Sequence, residues 1–315
     1  MLKLGITTLQ QLETSHESST RVIGAQLLLA LNALDPGPRA PLRKRILRSL
    51  LLPNTTGKTT WPGRFEAVDR EVSGILKAER GAGLSCLDLG VSDGSTALDL
   101  FRRLADVEGL SYLMSDLNEN VFIRRGGVCI DVCDDEGNPI QMTLGPFVVP
   151  LIQLSHLHPL QLVNRSLFAF GRLRGARIRR AFAARDGFER VSILSPEVQT
   201  ALAEEPRLRF ERLDLFALPA AQFDFVRIFN VLNLGDGEFG FSLALARRGL
   251  ESIAAAVREG GHLLVGRSVG TPDGGLRTDA TLLRKSGAGL DVSRQFGEGS
   301  ELEGLLPVES PVSAT

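Results

Sequence analysis

A chain of 315 residues is long enough to bury a full hydrophobic core in one elaborated domain. Its composition, 43% hydrophobic and 23% charged residues, is ordinary for a soluble globular protein. The formal net charge of −1 excludes a general attraction to nucleic acid or to anionic membranes, so any such contact needs a local patch of positive charge.

The cysteine content and the length of the apolar runs indicate the cellular compartment in which the protein is expected. Three cysteines favour a reducing environment over a disulfide framework. Cys129 and Cys133 are four residues apart, but no second pair of ligands accompanies them, so we expect no metal site. No apolar run approaches the roughly 20 residues that span a bilayer, and the N-terminus lacks the apolar core of a signal peptide. We therefore expect a cytoplasmic protein.

Residues 1–83 are predicted to form a helical N-terminal extension. Apolar residues follow helical spacing in three segments of this extension. The predicted helices cover residues 21–34, 41–52 and 62–80. The first is too apolar for a solvent-exposed helix, and the Asp-Pro-Gly-Pro sequence that follows it ends the helix.

From Leu84 onward, predicted strands alternate with predicted helices. Leu84–Leu89 is a strand that runs into a glycine-punctuated turn, and the helix Thr96–Leu104 follows. The later predicted elements are the strands Leu110–Met114, Arg207–Leu213 and Phe223–Phe229, a helix over 242–258, the strand His262–Val265, and a terminal antiparallel hairpin of Thr281–Arg284 and Leu290–Gln295. This alternation predicts a parallel, doubly wound sheet with ligand sites at the carboxyl ends of its strands.

An insert of residues 117–205 separates the second strand from the third and is far longer than an ordinary connection. Val121–Leu144 is predicted to be a hairpin with its turn at Asp134–Asn138. Pro150–Ala184 is predicted to form helices that are rich in apolar and basic residues. At the other end of the chain, residues 307–315 are predicted to be a disordered tail.

Eight arginines lie between Arg165 and Arg190, interleaved with apolar residues. One interpretation is a helix that packs its apolar face on the sheet and solvates its arginines. A second is a basic amphipathic helix on an anionic membrane or over a lipid-like substrate. A third is contact with nucleic acid. It is disfavoured because proteins that bind single strands stack bases on clustered aromatic side chains, and this chain has only one Trp and one Tyr.

The first strand leads into the sequence Asp-Leu-Gly-Val-Ser-Asp-Gly-Ser at residues 88–95. A strand, a tight turn and a helix in this order form a nucleotide cradle, because small residues let the backbone approach a ligand and the helix N-terminus presents free N–H groups. Gly90 and Gly94 flank Ser92. The pattern is therefore Gly-x-Ser-x-Gly and differs from the Gly-x-Gly-x-x-Gly of dinucleotide-binding proteins.

Over about residues 61–302, the chain resembles the class I S-adenosylmethionine-dependent methyltransferases. The resemblance rests on the glycine loop, on Asp116 at the end of the second strand, and on the segments Asp214–Phe216, Phe223–Asn233 and Arg258–Val265. It implies a mostly parallel seven-stranded sheet within residues 84–306 and S-adenosyl-L-methionine as the cofactor. The departure from the family is Ser92, where glycine is more common.

The resemblance implies that Asp116 accepts both ribose hydroxyls of the cofactor and that the segment at Asp214 contacts the adenine. The full set of implied cofactor-binding residues is Asp88, Gly90, Ser92, Asp93, Gly94, Asp116, Leu117, Asp214, Leu215 and Asn230. Each has a structural alternative. Asp88 could brace the loop, Asp116 and Asp214 could be helix caps, and Asn230 and Asn233 could satisfy the backbone of a turn.

The function implied by the resemblance is methyl transfer to an O or N atom of a small, lipid-linked or saccharide-linked acceptor. Such a transfer depends mainly on proximity and alignment, and Asn230 and Asn233 are the candidate residues beside the methyl group. The insert 117–205 is expected to cap the substrate. A peripheral membrane contact through residues 150–190 is one alternative, and nucleic acid is not an expected partner. The alternative functions are an RNA or protein methyltransferase and a catalytically inactive interaction module that binds the cofactor.

Overall fold

The computed structural model describes residues 4–16, 22–32, 40–50, 60–151, 162–234, 240–271, 275–287 and 289–305. In chain order, the elements are α1 (Leu9–Thr14), α2 (Leu27–Asn32), α3 (Ala40–Ser49), α4 (Glu66–Arg80), β1 (Ser85–Leu89), α5 (Ser95–Leu104), β2 (Ser111–Ser115), β3 (Asn120–Gly126), β4 (Cys129–Cys133), β5 (Pro139–Leu144), β6 (Phe147–Pro150), α6 (Leu162–Ala183), β7 (Phe188–Ser192), α7 (Pro196–Glu204), β8 (Leu208–Glu211), β9 (Phe223–Phe229), α8 (Leu243–Ala256), β10 (Val257–Gly270), β11 (Leu276–Ser286), β12 (Gly289–Phe296) and a 3₁₀ turn (Glu303–Leu305).

The chain divides into two compact units, which we name by their sheets. Residues 60–117 and 197–315 form the parallel-sheet unit, and residues 1–59 and 118–196 form the antiparallel-sheet unit. The predicted boundary is at residue 83, but the division falls after residue 59 because α4 packs against α5. The predicted tail, 307–315, lies outside the described residues.

The parallel-sheet unit is built on seven strands in the order β12-β11-β10-β9-β1-β2-β8. The five strands from β10 to β8 are parallel, and β11 and β12 add an antiparallel hairpin to the edge at β10. This arrangement confirms the predicted mixed α/β fold with a large, mostly parallel sheet. The strand order reverses at β1, which pairs with β2 on one side and β9 on the other, and such a switch point is where α/β sheets bind ligands.

Helices cover both faces of this sheet, with α8 on one face and α4 and α5 on the other, where Arg227 of β9 bonds to Asp69 and Thr96. All seven residues of β9 are buried, as is typical of strands in a parallel sheet. On one face, Leu250 and Ile253 of α8 pack into a cluster with Val226 and Val265. The helix predicted to reach residue 258 ends at Ala256, and β10 begins earlier than the predicted strand.

The antiparallel-sheet unit contains five strands in the order β6-β5-β4-β3-β7. The predicted turn at residues 134–138 joins β4 to β5, while β6 and β7 extend the predicted hairpin into a full sheet. Val121, Ile123 and Val132 on one face form a core with the helices α1 to α3. Side chains on the other face pack against Ile178 and Phe182 of α6.

The predicted helix over residues 21–34 is wrong at its start. The structure forms only α2 within the described residues of this segment, and Ile23 makes a parallel bridge with Ile6. The side chain of Gln141 fixes this extended stretch, since its Nε2 donates to the carbonyl of Ile23 (3.0 Å) and its Oε1 accepts from the N–H of Ala25 (2.7 Å). Long-range hydrogen bonds thus override a local apolar pattern.

No helix in the part of the chain that the structure describes has the length and apolar character needed to cross a membrane. The three cysteines are buried free thiols. Burial, with the charge of Asp134 beside it, raises the pKa of Cys133 to about 12. Within the described ranges, no three His, Cys, Asp or Glu side chains gather as ligands for a metal ion.

Candidate functional site at the switch point of the parallel sheet

The turn after β1 has a left-handed backbone at three positions. Gly90, Ser92 and Gly94 have φ angles of 69°, 62° and 81°. A Cβ atom at Gly90 would lie 2.2 Å from Cγ2 of Val231, so both the backbone angle and the lack of space require glycine there. Ser92 adopts the same region as a non-glycine residue, a strained conformation that is concentrated at functional sites.

Hydrogen bonds tie this loop to the end of β2. The N–H groups of Gly90 and Val91 both donate to the carbonyl of Ser115, at 2.7 and 3.1 Å. The N–H of Ser92 donates to Oδ2 of Asp116 at 2.8 Å. The structure therefore brings together the glycine loop and the acidic residue that the sequence analysis assigned to one site.

Two further loop side chains differ in their surroundings. Oδ1 of Asp93 accepts from the N–H of Ser95 at 3.0 Å, which stabilises the first turn of α5. The hydroxyl of Ser92 is buried and has no hydrogen-bond partner among the described residues. A buried hydroxyl without a partner is unfavourable. A polar group of a bound ligand would satisfy it.

Asp88, in contrast, belongs to a buried cluster of charges. Its Oδ2 accepts from the hydroxyl of Tyr112 (3.0 Å) and from Nε of Arg227 (2.9 Å), and Nη2 of Arg227 also contacts it. The guanidinium donates in addition to Oδ1 of Asp69 (2.7 Å) and to the carbonyl of Thr96 (2.8 Å). These contacts favour the interpretation of Asp88 as a brace of the strand and loop.

Burial and charge shift the pKa values within this cluster. Burial raises the pKa of Asp69 to about 6, against the opposing pull of Arg227. Burial alone would lower the pKa of Arg227, but the charges of Asp88 and Asp69 hold it well above its usual value. Sequence reasoning missed Arg227. The available signal was a single arginine within the apolar strand Phe-Asp-Phe-Val-Arg-Ile-Phe.

The segment after β8 lies beside the end of β2, because the N–H of Leu213 donates to Oγ of Ser115 at 3.1 Å. Asp214 is exposed, and its Oδ1 accepts from the N–H of Phe216 at 2.9 Å. Leu215 is buried in the core, where a Cβ at Gly249 would lie 2.8 Å from its Cδ1. Its side chain therefore packs against α8, which does not fit the adenine contact implied for it.

Leu117 directly follows Asp116 and is 37% exposed. It is one of the larger apolar side chains left open to solvent in this unit. An exposed leucine beside the site carboxylate is compatible with the contact to the cofactor that the resemblance implies.

The two candidate asparagines hold the turn after β9. Asn230 has a φ angle of 56°, and its Oδ1 accepts from the N–H of Ser268 in β10 at 2.8 Å. Nδ2 of Asn233 donates to the carbonyl of Asn230 at 3.1 Å. These are the contacts expected if both side chains satisfy the backbone of the turn.

An aromatic and basic cluster before α4 was not predicted as part of this region. The ring of Phe65 stacks on Phe229 at the carboxyl end of β9, with centroids 4.3 Å apart. Nε of Arg64 donates to Oγ of Ser268 at 3.0 Å, and its guanidinium lies 4.5 Å from the ring centroid of Trp61. Arg64 and Phe65 thus contact strands β9 and β10 near their carboxyl ends.

No family model matches this chain, and no curated protein matches its sequence. Solved structures similar to it include the 4+2 cyclase SpnF (13% identity, TM-score 0.31, covering 65% of this chain and 47% of that one). A second is CalS10, an amino pentose methyltransferase from Micromonospora echinaspora with S-adenosylmethionine bound (13% identity, TM-score 0.31, covering 70% of this chain and 63% of that one). A third is the DszA carbon methyltransferase (15% identity, TM-score 0.34, covering 78% of this chain and 47% of that one). The chain spans less than two thirds of the length of each.

Proposed function

We propose that the parallel-sheet unit binds S-adenosyl-L-methionine and that the protein is a methyltransferase of the class I type. The observation that carries this proposal is the hydrogen bond from the N–H of Ser92 to Asp116, within a left-handed loop at the switch point of the sheet. A carboxylate has two oxygens that accept hydrogen bonds, which suits Asp116 to a pair of ribose hydroxyls.

The loop also suits the amino-acid end of this cofactor. The partnerless hydroxyl of Ser92 can donate to a carboxylate or accept from an ammonium group. Gly94 precedes the first turn of α5, and the positive end of a helix dipole favours a carboxylate there. Asp88 has no direct part in this proposal, because its carboxylate is bonded to Arg227 and Tyr112.

When bound, the cofactor supplies an electrophilic methyl group on its sulfonium. The protein then has to hold the cofactor and align an acceptor with it. Asn230 and Asn233 position the turn at the end of β9. Neither side chain has to transfer a proton. The proposed acceptor is an O or N atom of a small, lipid-linked or saccharide-linked molecule. The substrate-cap role of residues 117–205 and the membrane contact of residues 150–190 stay predictions.

Calorimetric titration of the full chain with S-adenosylmethionine and S-adenosylhomocysteine tests the proposal. Asp116→Ala should weaken binding roughly ten- to hundredfold, because charge-assisted hydrogen bonds to two hydroxyls are lost. Asp106→Ala is the matched control, since Asp106 is an exposed carboxylate paired with Lys77 in the same unit. A folded wild-type protein that binds neither ligand would contradict the proposal.

Turnover separates the proposed enzyme from an inactive module that binds the same cofactor. The protein with S-adenosylmethionine is incubated with panels of small, lipid-linked and saccharide-linked acceptors and, separately, with RNA and protein acceptors, and S-adenosylhomocysteine is measured. Product that forms only with an RNA or a protein would move the acceptor to that class. Binding without turnover on any acceptor would support the inactive module.

A further inference from the structure

The antiparallel-sheet unit contains a cavity of about 450 Å³ with a strongly basic wall. Strands β3 and β4 contribute Arg124 and Asp131, which are directly opposite each other in the sheet register. The remaining wall comes from α6 and the turn after it. The lining residues from that part are Arg174, Arg177, Ile178, Arg180, Ala181, Ala184 and Asp186.

Buried anchors fix the orientation of α6 on the sheet. Ile178 and Phe182 are buried, and the ring of Phe182 meets that of Phe122 edge to face with centroids 4.9 Å apart. Since each residue turns a helix by about 100°, Arg177 falls on one flank of this anchored stripe and Arg179 on the other. Arg177 lines the cavity from the first flank, and Arg180 lines it from the adjoining outward side of the helix, whereas Arg179 on the second flank does not line it.

The charges of the cavity are only partly balanced within the protein. Arg174 forms a two-point ion pair with Asp131, through Nε (2.8 Å) and Nη2 (2.9 Å), and Asp131 is 1% exposed. Nη2 of Arg124 lies 3.3 Å from Oδ2 of Asp186, a carboxylate that is 69% exposed and forms a weak pair. Four arginines face two aspartates, so the wall has a surplus of two positive charges.

Arg177 and Arg180 carry that surplus. Both side chains are exposed, and neither forms a hydrogen bond or an ion pair with any described residue. They lie three residues apart and therefore about 60° from each other around α6, close enough to act on one ligand. Two unpaired guanidinium groups at the wall of a concave site form a receptor for an anion from outside the protein.

We propose that this cavity binds a phosphate monoester. Such a group carries close to two negative charges at pH 7, which matches the surplus, and guanidinium forks fit phosphate oxygens in pairs. The cavity volume is within the range of small-molecule sites and is larger than a phosphate ion alone would fill. Ile178, Ala181 and Ala184 provide apolar contact for the organic part of the ligand. This site is independent of the cofactor proposed for the other unit.

Two sources of the phosphate monoester are distinguishable. One is a soluble phosphorylated metabolite, and the other is a lipid with a monoester headgroup. Leu173, which is 78% exposed on α6, would contact the acyl part of such a lipid. The probes are therefore phenyl phosphate for the soluble form and phosphatidylcholine vesicles with phosphatidic acid for the lipid form.

The test uses the full chain at constant ionic strength, with binding of phenyl phosphate followed by calorimetry. The double variant Arg177→Ala/Arg180→Ala should bind at least about tenfold more weakly, since charge-assisted hydrogen bonds are lost. Arg179→Ala is the matched control, because Arg179 is exposed on the same helix and does not line the cavity. The variant Arg177→Lys/Arg180→Lys keeps the charge without the fork and should bind with intermediate affinity. Thermal melting confirms that each variant folds.

The pH dependence adds a second readout. Affinity for phenyl phosphate should rise from pH 5 to pH 7, because the second proton of a phosphate monoester leaves near pH 6 while arginine stays charged. Vesicle binding that falls in the double variant and persists in Arg179→Ala would assign the phosphate to a lipid. Absence of binding to both probes, or an equal loss in Arg179→Ala, would overturn the proposal in favour of solvated arginines.

Discussion

Arg227 in the parallel-sheet unit and the pair Arg177 and Arg180 in the antiparallel-sheet unit have different surroundings, and the difference separates a structural charge from charges available to a ligand. In the parallel-sheet unit, Arg227 is 1% exposed, and its guanidinium bonds to Asp69, Asp88 and Thr96 inside the protein. In the antiparallel-sheet unit, Arg177 and Arg180 are exposed and have no acidic partner among the described residues. A buried cation has to be paired within the fold, whereas a cation at the wall of an open cavity can take its counter-charge from a ligand.

Removing the buried cation should have the largest effect. Arg227→Met leaves Asp69 and Asp88 buried without a positive charge, and the free energy of unfolding should fall by about 3–5 kcal/mol. Urea denaturation followed by circular dichroism measures this change. Arg209→Met is the control, because Arg209 is exposed and lies 3.9 Å from Glu211; it should change stability by less than about 1 kcal/mol. Equal losses in both variants would remove the distinction between a buried, paired arginine and an exposed one.

The ionisation of Asp69 should make the buried cluster sensitive to pH. Its pKa is raised to about 6 by burial, so the folded protein holds this proton more tightly than the unfolded chain does. The stabilisation from the proton is present below about pH 4 and is lost as the pH rises through 6. A shift from 3.8 to about 6 corresponds to about 3 kcal/mol at most.

The pH series compares wild type with Asp69→Asn, which cannot ionise. Between pH 4 and pH 7, the free energy of unfolding of the wild type should fall relative to that of the variant. Parallel pH profiles for the two proteins would contradict the raised pKa.

A paired and an unpaired arginine on α6 sharpen the comparison within one helix. Arg174→Ala leaves the carboxylate of Asp131 buried without its partner, and the free energy of unfolding should fall by about 1–3 kcal/mol. Arg177→Ala should change stability by no more than about 0.5 kcal/mol, since nothing in the fold is bonded to this side chain. Thermal and urea unfolding of the two variants measure the difference. A loss for Arg177→Ala as large as that for Arg174→Ala would show that both arginines are structural.

Local patterns in the sequence were sufficient for much of the parallel-sheet unit. The apolar run of β9 was predicted with its observed bounds, and the bounds of β1 and α5 differ from the predictions by one residue. The closeness of the glycine loop to Asp116 was also predictable, because the carboxyl ends of neighbouring parallel strands meet at one edge of the sheet. These features depend on residue spacing and on glycine's freedom at positive φ, both of which are local properties of the chain.

Only the tertiary structure decided which polar side chains are used inside the fold. Arg227 meets Asp88 across 139 positions of sequence and Asp69 across 158, and no local pattern specifies either partner. Gln141 likewise holds Ile23 in an extended segment from 118 positions away, where the apolar spacing alone predicts a helix. The free energy of a buried charge or amide depends on the groups that surround it, and those groups come together only when distant segments pack.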